Sequence, residues 1–316
     1  MYQIWVTPLL AAALVGTASD KRDAPPIGTE PGDTKSETIQ LDQDAHARLT
    51  VPVKISGAGP FDFMIDTGAQ ATAVTREINE QLNLEPLGMA TLIGMASVRP
   101  VEVVGVDNLQ MGDRTISNLI SPVLERNHVG ADGIIGLDSL QDLRVIIDFR
   151  KDTISVADAS KKEGKKGYEI VVKARRKNNQ LLITDAVIDG IRTTVIIDTG
   201  AQSSLANNVL RERMRAKRKK EVKTTDVNGV SVMGEVTFAQ KVVMQDIALT
   251  NIPITFVDTP AFKALGLENE PVLSIGMQHL RMFDRVAIDF SNHQILFDLP
   301  RNLDRYWDAG SINYIL

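Results

Sequence analysis

The sequence predicts a mainly β protein with two lobes of one plan, related by a pseudo-twofold axis and carrying short helices. Three observations predict it. Asp-Thr-Gly-Ala-Gln is written at residues 66–70 and again at 198–202, each time closing an apolar run. Two strand-like stretches joined by a turn precede each copy. A matching block then closes each half, Gly133-Ile134-Ile135-Gly136-Leu137 in the first and Leu273-Ser274-Ile275-Gly276-Met277 in the second. Self-similarity on this scale marks a duplicated structural unit. Two acids delivered by two copies of one unit place a site on the axis between them, close enough to share one proton.

At 316 residues the chain has room for two lobes, each with its own core. A composition 43% hydrophobic and 24% charged is globular, and a net charge of −5 calls for no nucleic acid. Without cysteine there is no disulfide, thiol nucleophile or cysteine-lined metal site. His46, His128, His279 and His293 lack metal-ligand spacing, so neither a metal nor another cofactor is expected. No phosphate-binding glycine loop and no Gly-x-Ser-x-Gly elbow occurs.

Taken in order, residues 4–16 are almost wholly apolar, and small residues Gly16 and Ala18 precede a candidate cleavage point. Residues 1–18 therefore read as a signal-peptide-like or anchor segment, and the protein as periplasmic or secreted. Against a signal peptide, Met1-Tyr2-Gln3 holds no basic side chain, and the run is short for a transmembrane helix. Residues 19–40, rich in Pro, Gly, Asp, Thr and Lys, read as a disordered linker.

The first lobe spans 41–158. Leu49, Val51, Val53 and Ile55 alternate, Gly57-Ala58-Gly59 turns the chain, and Phe61, Phe63 and Ile65 lead to Asp66 at the end of the returning strand. Ile78 and Leu82, four apart, mark a short helix. A charged linker, 159–167, leads to the second lobe, 168–300. There a run to Ile188 meets the hairpin signal Asp189-Gly190 and returns through Val195 and Ile197 to Asp198. Leu205 with Val209 and Leu210 with Met214 put a helix next, continuing into the basic run 211–220. That run reads as a solvated face, or as a contact with anionic lipid or an acidic partner. Asp148 and Asp289 recur in Ile-Asp-Phe and read as turn or inter-strand acids. Tyr306 and Trp307 are candidate anchors for the tail, 301–316.

Apolar-apolar-Asp-Thr-Gly-Ala, followed by apolar-apolar-Gly, resembles the aspartic protease signature. Its appearance twice resembles the bilobed pepsin arrangement. Ala69 and Ala201 after the glycines, and the compact lobes, are more similar to the retroviral protease monomer, and the chain resembles the bacterial retropepsin-like group over about residues 40–300. The resemblance implies a bilobed pepsin-like or retropepsin-like fold and an aspartic endopeptidase. Asp66 and Asp198 would be its catalytic pair, acting through a shared proton and one water on an extended protein or peptide substrate.

It further implies that Thr67 and Thr199 interlock the lobes, and that Gly68 and Gly200 let backbone approach the carboxyls. Gly136 and Gly276 would lie where a strand crosses each acid's loop. Pepsin-like enzymes have a hydroxyl residue at the positions of Ala69 and Ala201, so this dyad should be less acidic and work at mildly acidic to near-neutral pH. Hairpin turns closing the cleft are placed at Gly94-Met95-Ala96-Ser97 and, in the second half, at Asn228-Gly229. Met95 reads either as a cleft contact or as packing. One chain supplies both acids, so a monomer suffices. Two rivals stay open: a silent peptide-binding module of the same fold, and a homodimer with mixed sites.

Overall fold

The structure, a computed structural model, describes residues 50–158, 167–215 and 220–300, together with the strands Gln3–Trp5, Glu37–Gln40 and Ser311–Tyr314. It is mainly β, with two curled sheet lobes. In the first lobe Thr50–Ile55 pairs antiparallel with Ala58–Ile65 through Ser56-Gly57, both at positive φ. In the second, Gln180–Ile188 pairs with Ile191–Ile197 through Asp189-Gly190, at φ 47° and 83°. This is the primed turn that suits twisted strands.

Strand alternation explains the packing. Phe61, Phe63 and Ile65 point into the main core, as do Val195 and Ile197 from the matching strand. Their alternates Met64 and Ile196 face the opposite side, each in a smaller apolar cluster. The closing blocks then pin each returning strand. Gly133–Ile135 runs parallel to Ala58–Ile65 and antiparallel to Ala73–Thr75. Val272–Ile275 does the same beside Ile191–Ile197 and Leu205–Ala206. Both acids thus emerge at corresponding ends of central strands.

A six-stranded sheet joins the lobes: Leu143–Asp148 of the first pairs antiparallel with Arg285–Asp289 of the second. The Ile-Asp-Phe acids sit here. Asp148 accepts the backbone N–H groups of Arg150 and Lys151, capping a turn. Asp289 binds Arg144 across the lobe boundary and accepts from Asn292.

Some expectations change. Glu37–Gln40, inside the segment read as a disordered linker, is a strand paired with Thr153–Asp158. Gln3–Trp5, inside the leader, runs parallel to Thr91–Ile93. The basic run is not one helix: Asn208–Met214 ends at Arg215, which turns left-handed at φ 51°, and Lys220 already begins a strand. Leu205, expected on that helix, lies in the preceding strand. The rest of the leader and of the linker, residues 159–166, and Tyr306 and Trp307 lie outside the described residues. Among the described residues, no helix is long and apolar enough to cross a membrane.

Candidate active site

The two Asp-Thr-Gly loops meet where the lobes join. Each acid is tied to its closing strand, Asp66 N–H donating to the Ile135 carbonyl and Asp198 N–H to that of Ile275, both at 3.0 Å. The threonines cross over. Thr67 Oγ1 donates to the Ile197 carbonyl at 2.7 Å, and Thr199 Oγ1 to that of Ile65 at 2.8 Å. Each hydroxyl also accepts the other threonine's N–H, at 3.0 and 3.2 Å. Four buried bonds therefore fix the loops against each other.

The glycines are required by close approach. A Cβ on Gly200 would lie 2.3 Å from Cγ of Asp66, so the first lobe's carboxyl rests on the second lobe's loop. At Gly136 and Gly276 a Cβ would meet Ala71 and Ser203 backbone at 2.4 and 2.5 Å. At both glycines the strand passes too close to the acid's loop to admit a side chain.

Both carboxyls are buried, and each is cradled by its own loop. Asp66 Oδ1 accepts from Gly68 N and Ala69 N at 2.8 and 3.1 Å, and Asp198 Oδ1 from Gly200 N and Ala201 N, both at 3.1 Å. Ala69 and Ala201 thus contribute backbone N–H groups. Burial, then the charge of Asp198, holds Asp66 well above the usual carboxylate range. Burial also pushes Asp198 up to about 6, against the pull of Ala201 N–H, the Ser274 hydroxyl and Gly200 N–H. Two acids this close resist double ionisation, which holds the second proton on the pair to higher pH.

The pair is not symmetric. Ser274 Oγ lies 3.2 Å from Asp198 Oδ2, whereas Asp66 Oδ2 is buried with no hydrogen-bond partner among the described residues. The first lobe has Ile134 where the second has Ser274, each two residues before its closing glycine. A hydroxyl donor favours the charged form, so the environment favours negative charge on Asp198 over Asp66. Sequence reading passed over Ser274, although Ile134 at the matching place was a visible contrast.

A second missed pair stands six residues after each acid. Thr72 Oγ1 accepts from Gly136 N at 3.1 Å and donates to Asp138. Ser204 Oγ accepts from Gly276 N at 3.0 Å and bonds His279 Nδ1 at 2.6 Å. Burial lowers His279 to about 4, so it is neutral at physiological pH. These groups hold the closing glycines against the acid loops. The recurrence of a hydroxyl residue at this spacing was a readable signal.

The two turns read as flaps meet each other over the site. Gly94-Met95-Ala96-Ser97 joins strands Glu85–Ile93 and Val98–Val106, with Gly94 N–H donating to the Ser97 carbonyl. Asp226, just before Asn228-Gly229, receives Ala96 N–H at 3.1 Å and the Ser97 hydroxyl at 2.6 Å on Oδ2. Its Oδ1 accepts Asn228 N–H and Val230 N–H of its own turn. Asn228 Nδ2 reaches Ser97 Oγ, and Gly229 packs on the His128 ring. Asp226 is thus a latch between the lobes, missed because it reads locally as a turn acid. Met95 is fully buried against Ala201, Leu205 and Val257.

Met95 also lines a small apolar pocket beside the pair, with Gly68, Ile196, Asp198, Phe262, Leu265 and Ser274. Among the described residues, no three His, Asp or Glu side chains converge as metal ligands would.

Comparison with known families agrees in both lobes. Residues 51–142 match the family described as "gag-polyprotein putative aspartyl protease", and residues 184–278 match the family described as "Aspartyl protease". No curated protein matches the chain.

Proposed function

The chain belongs to the retropepsin-like aspartyl proteases, with one domain of that kind in each lobe, and from that premise we propose an endopeptidase whose nucleophile is a water held between Asp66 and Asp198. The resting pair carries one proton. Asp198, ionised beside the Ser274 hydroxyl, takes a proton from the water as it attacks the peptide carbonyl carbon. Asp66, protonated at its unpartnered oxygen, gives its proton to the carbonyl oxygen, forming the tetrahedral gem-diol. Proton return to the amide nitrogen then lets the C–N bond break. The flaps must part to admit substrate and close to exclude bulk water.

Both acids come from one chain, so the monomer is the active species. The apolar lining of Ile196, Phe262, Leu265 and Met95 beside the pair favours an apolar side chain next to the cut. The observation carrying the reading is the buried, cross-linked pair: two carboxyls, each on two N–H donors, over interlocked threonines. Peptide-library cleavage by the purified chain tests it, run beside Asp66→Asn and Asp198→Asn. Cleavage abolished in both variants is expected. Activity surviving in either, or no cleavage by the parent, would overturn the assignment.

A further inference from the structure

The second lobe carries a recess of about 710 Å³ outside the site just described. Arg175, Arg176, Lys177, Arg192 and Arg213 line it, with Glu270 the sole acid among the lining residues. Such a concentration of cations is unexpected on a chain of net charge −5. Arg175, Arg192 and Arg213 are exposed and pair with no acid among the described residues. Arg176 and Lys177 donate to neutral acceptors, the Asn179 side-chain oxygen and the Gly266 carbonyl, and pair with no acid among the described residues.

The recess lies along the strand that leads to the cleft's acid, with buried apolar side chains between the two. Thr194 lines it, Ile196 lines the apolar pocket, and Asp198 directly follows the same strand. Alternation puts Thr194 and Ile196 on one face. Leu182 and Leu267 on the recess side, and Phe262 and Leu265 on the pocket side, belong to one apolar cluster that forms the wall between them. Four strand residues span about 13 Å, so an extended substrate reaches the cations roughly four to six residues from the scissile bond.

We propose that this recess is an exosite for an acidic stretch of the polypeptide substrate, on one side of the cut. It rests on the peptidase reading and adds the substrate class: an apolar residue at the cut and Asp or Glu several residues away. The volume lies in the range of sites that enclose a ligand, and the concave shape favours a polypeptide segment over a flat lipid surface. Exposed charge pairs each contribute modestly and are screened by salt, so two or three together give about a tenfold preference.

The test uses the full chain and fluorogenic peptides sharing one cleavable core. Positions four to six from the scissile bond carry Asp/Glu or Asn/Gln, first on one side and then on the other. Expected is about a tenfold higher kcat/KM for the acidic peptide on one side, residing in KM. The acidic-to-neutral ratio should fall to about one at roughly 0.5 M salt, and in the double variant Arg175→Glu/Arg192→Glu. A ratio near one in the parent, or one surviving in the double variant, overturns the proposal. So does charge-dependent binding to phosphatidylglycerol-containing vesicles without any peptide preference. If no peptide is cut, the peptidase reading fails separately. Fluorescence anisotropy with the labelled peptides then decides the exosite: tighter binding of the acidic one, lost in the double variant, supports it, and equal binding overturns it.

Discussion

Replacing Ser274 by alanine isolates what a single hydroxyl does to the pair. Its Oγ stands 3.2 Å from Asp198 Oδ2, long for a hydroxyl donating to a carboxylate. Bonds to charged groups are worth about 1.5–3 kcal/mol, so this one falls at the low end. A value near 1.4 kcal/mol is about one pKa unit. The hydroxyl favours the charged form, so removing it raises the pair's first ionisation. The mono-protonated state then forms at higher pH. The acidic limb of the kcat/KM profile of Ser274→Ala should move up by about one unit, because that profile reports groups of the free enzyme. On the acidic side of the limb the variant should be about tenfold slower, while well above the limb the two should converge. A limb that stays put, or moves to lower pH, refutes the assignment of charge to Asp198.

Three further outcomes follow from the same geometry. Burial lifts Asp198 from 3.8 to about 6, so the folded state is favoured in full below about pH 3.8 and loses that advantage as pH rises through about 6. The loss is about 3 kcal/mol, from 1.36 kcal/mol per unit over about two units, and Asp198→Asn should therefore melt higher than the parent at pH 7.5 but not at pH 4. Gly200→Ala pushes a methyl to 2.3 Å from the Asp66 carboxyl; displacing that group by a fraction of an ångström or more should cost about 100-fold in kcat, read by steady-state assay on folded protein. Asp226→Ala removes the acceptor of Ala96 N–H and Ser97 Oγ; hydrogen exchange over residues 94–97 should quicken, and KM should rise more than kcat falls.

How much of this was legible follows from the range over which each signal acts. Strand alternation is local, so Phe61, Phe63 and Ile65 announced both the strand and its inward face, and duplication certified the reading when Val195 and Ile197 repeated it. The closing glycines were legible through the family resemblance, and a residue with no Cβ is demanded at both crossing points. The basic run misled because its helical spacing persists beyond the helix: Arg215 turns left-handed, and Lys220 pairs with Val236 as strand, a choice made by the sheet edge. Asp226 and the flap tip it holds are 130 residues apart, and the cations of the recess come from three separate segments, 175–177, 192 and 213. No window along the chain contains either grouping. Ser274 lies between these cases. One polar residue in Val-Leu-Ser-Ile is unremarkable alone, but the first lobe's Ile134 shows that the fold does not need a hydroxyl there. In a duplicated chain, what both halves share builds the scaffold. The residues that differ at matched positions are where the symmetry of the two acids is broken, and a pair that must act as acid and base at once needs it broken.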